Sequence, residues 1–442
     1  MSPRPRPRRA PRPRADRGAG DILDLVLAEP AHGGACVARD RDGRVVFVRH
    51  GLPGERVRAR VTSTRKALAW ADAVEVLDPS PDRVDPAWPQ AGPGGVGGGE
   101  LSHVAPPAQR RWKADVLRGQ LRRIGGPDLA ARVDEIGGAD VLPAPGDESA
   151  DDPLTGRRTR IELVIGADGR PGMRTHRGHD VVALDDMPLA VESIRALGLF
   201  DADSPWRRVW KVGDRIRVVA ANGADPLVLT PQGARDARMR LVDVDRLTWR
   251  IRAGGRDYSY GVRPRGFWQT HVRGAEALAS ALVDLAVPRT GEAVAELYSG
   301  AGLFSAVLAD AIGPSGSLAC LEGDEAAVAD AAENLSGAAW AQAFVGAVDA
   351  SAVGELVVEL GRSPDLLVLD PPRAGAGRGV CEAIGATGAG RVVLVSCDPA
   401  AGARDLRALV DSGYRVDALR AWDLFPHTHH VETMVLLQRE VL

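Results

Sequence analysis

From about residue 266 onward the chain alternates short apolar runs with helical stretches, and this constrains its fold more than any other feature. The runs are "AVAELYSG", "SLACLEGD", "QAFVGAV", "DLLVLDPP", "RVVLVSCDP", "RVDALRAWDLF" and "HVETMVLLQRE". Near-continuous Val/Leu runs separated by helices require a sheet covered on both faces. The pattern predicts a doubly wound α/β domain over 266–442, with ligands at the carboxyl ends of its strands.

The remainder divides differently. At 442 residues the chain exceeds a single domain. Residues 1–16 alternate Pro with Arg4, Arg6, Arg8, Arg12 and Arg14. Such a segment cannot bury a core, and it reads as a disordered basic tail. Residues 17–78 are short β-rich runs split by "DRDG" and "GLPGE", which suggests a small barrel of the OB type. Residues 79–265 read as a central α+β domain. It opens on a glycine loop, "WPQAGPGGVGGGELSH". A basic helix follows, "RRWKADVLRGQLRRIGG". Leu117, Leu121 and Ile124 share one face, surrounded by Arg110, Arg111, Arg118, Arg122 and Arg123. Hairpin turns are expected at Asp168-Gly169, near Asn222-Gly223 and at Gly254-Gly255, with a helix over "MPLAVESIRALGLF".

Formal net charge is −3, so any surface for an anionic partner must come from patches. The cysteines Cys36, Cys320, Cys381 and Cys397 stand alone, with no CxxC pair. No disulfide framework is suggested, and a reducing cytoplasm is the expectation. No apolar run is long enough to cross a membrane. The basic N-terminus lacks the apolar stretch of a secretion signal.

"ELYSGAGLFSAVLA" is strand, glycine turn and helix. Gly300 and Gly302 let the backbone turn sharply and approach a ligand. A third glycine is missing, so this is not the dinucleotide fingerprint, and no Gly-Lys-Ser/Thr follows, so it is not a P-loop. Glu322 ends the next strand, where a carboxylate can accept hydrogen bonds from both ribose hydroxyls of an adenosine cofactor. It could equally be an exposed strand-end carboxylate or a helix cap. Without a pyrophosphate pocket, S-adenosylmethionine fits better than NAD. "DLLVLDPPRAG" sets Asp370 at the active-site edge, and Arg373 follows where base amino-methyltransferases often carry an aromatic residue. The thiol of Cys397, one strand later, points to a carbon target.

Carbon 5 of uracil is a poor nucleophile. A thiolate adding to carbon 6 makes carbon 5 enolate-like, so it can attack a methyl group. The carbon-5 proton must then leave, which requires a base. Free thiols titrate at about 8.5, so something must favour the thiolate; the helix beginning near Ala400 is one candidate. Asp398 works against it unless turned away as a cap. Glu432 in "DLFPHTHHVETMVLL" interrupts an apolar run leading into an expected edge strand, and a charge inside a strand needs a reason. A solvent-facing Glu432, or a zinc site from His427, His429 and His430, are the other readings.

Together these residues resemble the RNA 5-methyluridine methyltransferases, over nearly everything after residue 17. That resemblance implies an N-terminal TRAM domain of OB fold, a central domain and a class I S-adenosylmethionine domain. "FWQTH" is similar to the family's Phe-x-Gln element, which implies that Gln269 touches the cofactor. "ELYSGAGLFS" is similar to its cofactor loop, with Tyr298 packing beside the ligand. Glu322 and Asp370 match its ribose and active-site acids, Cys397 its nucleophile and Glu432 its base. Many members bind a 4Fe-4S cluster through three cysteines in a glycine loop and a fourth in the central domain. Here Trp88, Val96, Gly99 and Met187 occupy the apparent ligand positions. Cluster ligation needs thiolates, so no cluster is expected; the loop is ordered by packing of Trp88 or is mobile.

The expected activity is methylation of a uridine in ribosomal or transfer RNA by a cytoplasmic monomer. The barrel, the basic helix and the tail would grip the RNA. Phe267 or Trp268 could stack on a flipped base, though a core position is expected for both. The alternatives are a cytosine-C5 RNA methyltransferase and a non-catalytic RNA-binding or RNA-folding protein.

Overall fold

The computed structural model describes residues 18–440 apart from Arg177 and Gly223. The arginine-proline tail lies outside the described residues. The chain forms two compact units, one ending at Arg83 and the other running from Val84.

The first unit is a six-stranded sheet dominated by the hairpin of Arg56–Arg65 and Leu68–Asp78. Val57, Ala59 and Val61 are buried while Arg56, Arg58 and Arg60 are exposed, which is the period-two pattern of a strand with one wet face. Ladder irregularities at Arg56/Val57, Arg58/Ala59 and Val61/Ser63 add twist to this hairpin.

In the second unit, residues 160–242 form a seven-stranded antiparallel sheet. The strands Leu247–Ala253 and Arg256–Val262 pair through the turn at Gly254-Gly255. The long helix expected over "MPLAVESIRALGLF" is a single turn, Glu192–Arg195. Its apolar residues Leu189, Ile194, Leu199 and Phe200 are still buried, but they pack from irregular backbone. Pro188 and the small Gly198 (φ +64°) limit how far helical geometry extends.

The third sheet carries the candidate site residues Glu322, Asp370, Cys397 and Glu432 at or next to its strand ends. It has eight strands in the order Ala341–Val345, Ser317–Glu322, Ala293–Leu297, Leu366–Leu369, Arg391–Ser396, Glu432–Arg439, Tyr414–Asp423 and Val141–Pro143. The first five are parallel. Every residue of Ala293–Leu297 and Leu366–Leu369 is buried, as strands covered on both faces must be. The strand order reverses between these two, so their carboxyl ends open onto the crevice where ligands bind in such sheets. The strand Glu432–Arg439 is not an edge. It inserts antiparallel between Arg391–Ser396 and Tyr414–Asp423, because its apolar run Thr433–Leu437 needs cover on both sides.

Candidate active site

The nucleophile candidate follows directly from this sheet. Cys397 is the first residue beyond Arg391–Ser396 and is half-buried. Asp398 is turned away from it. The Asp398 carboxylate caps the helix Pro399–Asp411, accepting from the backbone N–H groups of Ala400 and Ala401, each at 2.9 Å. The carboxylate that follows the thiol at this strand end is thus accounted for as the start of the next helix.

Glu432 comes from the neighbouring strand. Ser396 pairs with Thr433, and the Thr433 hydroxyl donates to the Ser396 carbonyl at 3.1 Å. Cys397 and Glu432 are the residues immediately beyond that last pair. Glu432 is 2% exposed, which excludes the solvent-facing reading. Asp370 follows Leu369 on the adjacent parallel strand, with its N–H donating to the Leu297 carbonyl at 3.4 Å.

These three groups share one electrostatic environment. Burial pushes the Cys397 thiol up to about 12, and the charges of Glu432 and Asp370 push the same way, while Arg373 opposes them. Burial and then Asp370 raise the Glu432 carboxyl well above the usual carboxylate range. Burial raises Asp370 to about 7. Burial and the neighbouring carboxylates thus disfavour the Cys397 thiolate.

The cofactor candidates gather at the crevice. Tyr298 holds φ +62° at the end of Ala293–Leu297, and its N–H donates to the Leu321 carbonyl at 2.8 Å. Gly300 lies at φ +54°, and a Cβ there would face open space. Gly302 lies at φ +86°, where a Cβ would press Ala331 at 3.3 Å. Glu322 accepts from the Gly300 N–H at 3.0 Å and the Asp324 N–H at 2.9 Å, which ties the two strand ends together. The Ser299 hydroxyl is buried in the same loop without a partner. An open-sided glycine, a carboxylate at the rim and an orphaned hydroxyl fit S-adenosylmethionine. Gln269 is 8% exposed and lies against Gly274 beside Leu424. Its neighbour Trp268 is a core residue, stacked on Trp249 at 5.5 Å and packed in the cluster that contains Ala301. Phe267 is instead 62% exposed, with the Arg160 guanidinium 5.2 Å from its ring centre. The core expectation therefore holds for Trp268 and fails for Phe267.

Sequence reasoning missed Glu296, buried in the strand beneath the glycine loop. Burial raises its carboxyl to about 8, and Ser305 donates to it at 2.6 Å. A lone acid in "AVAELY" was the available signal.

The histidines before Glu432 have protein partners. His427 donates through Nε2 to the Pro153 carbonyl at 2.8 Å, and His429 Nδ1 meets Glu100. Among the described residues no three His, Cys, Asp or Glu side chains are grouped as a metal ion would need.

Trp88, Val96 and Met187 are each 1% exposed and belong to one apolar cluster with Leu163 and Leu184. A side chain at position 99 would collide with Ala91 at 2.6 Å and with the Trp88 indole at 2.8 Å. The donor set offers one thioether and no thiolate, so it does not fit an iron-sulfur cluster. The loop is ordered by this packing. Trp88→Ala is expected to cost about 3–5 kcal/mol, read as a fall in the denaturation midpoint.

The comparisons with known proteins bear on this geometry. Residues 19–74 match the TRAM domain, and residues 358–440 match the tRNA (uracil-5-)-methyltransferase family. An uncharacterized RNA methyltransferase of Streptomyces coelicolor is 39% identical, covering 95% of this chain and 93% of its own. The 23S rRNA (uracil(1939)-C(5))-methyltransferase RlmD of Halomonas elongata is 33% identical, covering 96% and 91%. The crystal structure of Pyrococcus abyssi tRNA (uracil-54, C5)-methyltransferase with S-adenosyl-L-homocysteine shares the fold, with a TM-score of 0.64 at 22% identity over 94% of this chain and 100% of that one. With relatives of that identity along nearly the whole chain and a TRAM match at its start, the protein belongs to the TRAM-containing, S-adenosylmethionine-dependent RNA uracil-C5 methyltransferases.

Proposed function

We propose that this protein methylates carbon 5 of a uridine in ribosomal or transfer RNA through a covalent bond to Cys397, with Glu432 as the base. The observation that supports this reading is the ladder that ends on Ser396 and Thr433, one residue short of Cys397 and Glu432, with the charges of Glu432 and Asp370 both acting on the Cys397 thiol. S-adenosylmethionine, when bound, supplies an electrophilic methyl group. Gln269, Tyr298, Gly300, Gly302, Glu322 and Asp370 would hold it. Glu322 would exchange its bond to the Gly300 N–H for ribose hydroxyls.

The Cys397 thiol gives up its proton to solvent and adds through Sγ to carbon 6 of the flipped uracil, and the carbon 5–carbon 6 π electron pair moves to carbon 5. Carbon 5 would take the methyl group from the sulfonium of S-adenosylmethionine, whose S–CH3 bond breaks to leave S-adenosylhomocysteine. Glu432 removes the carbon-5 proton, the double bond reforms, and the Cys397 thiolate leaves. A carboxyl whose pKa is raised by burial is the stronger base for that proton.

The RNA would be gripped by the TRAM part over 17–78 and by the central part over 79–265, and modified by the part over 266–442. The open face of the seven-stranded sheet supports this. Arg174, Arg215, Arg217 and Arg265 line a groove of about 480 Å³ there, and guanidinium groups suit phosphate. No described helix is long and apolar enough to cross a membrane, and we take the cytoplasm as the site of action.

The test is to incubate purified protein with methyl-labelled S-adenosylmethionine and separate pools of unmodified transfer and ribosomal RNA, then to resolve the nucleosides. Label in 5-methyluridine is the expected result. Label in 5-methylcytidine, or none, would overturn the reading.

A further inference from the structure

Glu432 is the first residue of its strand, so the ladder holds it from one side only. The segment before it, 424–431, lies outside both flanking strands. His427 in that segment sits at φ +67°. A non-glycine residue keeps such a conformation only where its surroundings over-determine it.

The surroundings come from residues 100–113, more than 300 positions away in the chain. The Leu101 N–H donates to the His427 carbonyl at 2.9 Å. Gln109 accepts from the His427 N–H at 2.7 Å. Glu100 accepts from the His429 N–H at 3.1 Å and pairs with the same residue's Nδ1. Lys113 donates to Asp423 at 2.5 Å and to the Phe425 carbonyl at 3.0 Å. Lys113 is 0% exposed, although its helix reads as a basic, solvated one. A buried ammonium is costly, and a role in specifying one arrangement is a known reason to retain it. Here it joins the end of one strand to the turn beyond it. The second oxygen of Asp423 is buried without a partner, so Asp423 depends on that ammonium. Upstream, Glu100 follows Gly99, which is locked under the Trp88 indole.

We propose that Glu100 and Lys113 are positioning residues for Glu432, acting through His429 and Asp423, with the packed Trp88–Gly99 loop as their anchor. The proposal rests on the uridine-methylation reading above. It extends that reading by assigning a positioning role to a part of the central region.

The order of the chemistry supplies the test. Cysteine addition and methyl transfer precede proton removal, so a displaced base leaves the first two steps intact and slows release of the thiolate. A variant with a misplaced Glu432 therefore accumulates a methylated RNA–protein adduct that survives denaturation. A variant that is only destabilised loses adduct and turnover together.

The full chain is compared as wild type, Glu432→Gln, Glu100→Gln, Lys113→Met, and Lys113→Met combined with Asp423→Asn. The measurements are kcat, KM for S-adenosylmethionine, adduct fraction on a denaturing gel, and melting midpoint. Glu100→Gln and Lys113→Met are expected to lower kcat about 10–100-fold. Their KM for S-adenosylmethionine should stay within about twofold, and their adduct fraction should rise toward that of Glu432→Gln. The double variant should recover melting midpoint without recovering kcat, since the bond to the Phe425 carbonyl stays lost. Wild-type turnover in both single variants would overturn the proposal. So would adduct and turnover falling in parallel with the midpoint, or kcat returning in the double variant. If Glu432→Gln traps no RNA and the wild type makes no 5-methyluridine, the uridine reading itself has failed.

Discussion

A Glu432→Gln variant is expected to capture its RNA instead of releasing it. The amide keeps the size of the carboxyl but cannot take the carbon-5 proton. Addition of Cys397 and methyl transfer still occur, and elimination stops. Turnover should fall about 10²–10⁴-fold, the usual contribution of a general base, while a labelled RNA–protein adduct builds up. The fold should tolerate the change. Burial raises the Glu432 carboxyl above the usual carboxylate range and so disfavours its charged form, and an uncharged amide therefore introduces no new electrostatic conflict. The sign of the pH effect on stability follows. The unfolded chain ionises this carboxyl near its ordinary pKa, whereas the folded one holds its proton to higher pH. Rising pH between those values therefore favours the unfolded chain, and the amide removes that effect. The variant should melt higher than wild type by a margin that widens from acidic to alkaline pH. An unchanged adduct fraction with unimpaired turnover would remove Glu432 from the mechanism.

Cys397→Ala should abolish methyl transfer and adduct together, by a factor on the order of 10⁴ or more, as loss of a nucleophile does in other covalent enzymes. No neighbour can substitute. The Ser396 hydroxyl is buried and committed to the Asp398 carbonyl at 3.1 Å, and Cys381 is buried in the core beneath the sheet. Binding of S-adenosylmethionine should survive, because the cofactor loop is built from Tyr298, Gly300 and Gly302 on another strand. Calorimetry with S-adenosylmethionine alongside the labelled-nucleoside assay separates these effects. Residual 5-methyluridine at more than a trace would mean that the reaction does not pass through this thiol.

The two residues on which these expectations rest are legible in the amino-acid sequence alone. Cys397 lies two positions past the last of four apolar residues, Val392, Val393, Leu394 and Val395, and Glu432 interrupts an apolar run. A reactive group at either place stands out because burying it without purpose is costly. The alternating domain is legible for the same reason: strands covered on both faces have to be apolar throughout, and that requirement is local to each run. Gly300 and Gly302 announce a turn that only a residue without a Cβ makes comfortably, and both hold positive φ.

Tertiary structure decided the rest. Local pattern made the final strand an edge, yet it lies inside the sheet. Local pattern made Phe267 and Trp268 equivalent core residues, yet only Trp268 is enclosed. The basic helix hid one lysine with no access to solvent, whose carboxylate partner lies 310 residues further on. Glu100 meets His429 across 329 residues. Periodicity reports which face of an element is apolar, because that depends on near neighbours along the chain. Which distant side chain compensates a buried charge depends on how the elements pack, and the chain itself carries no mark of it. The candidate reacting groups, Cys397 and Glu432, were therefore written locally in the sequence, and the partners of the segment before Glu432, Glu100, Gln109 and Lys113, were settled only by folding.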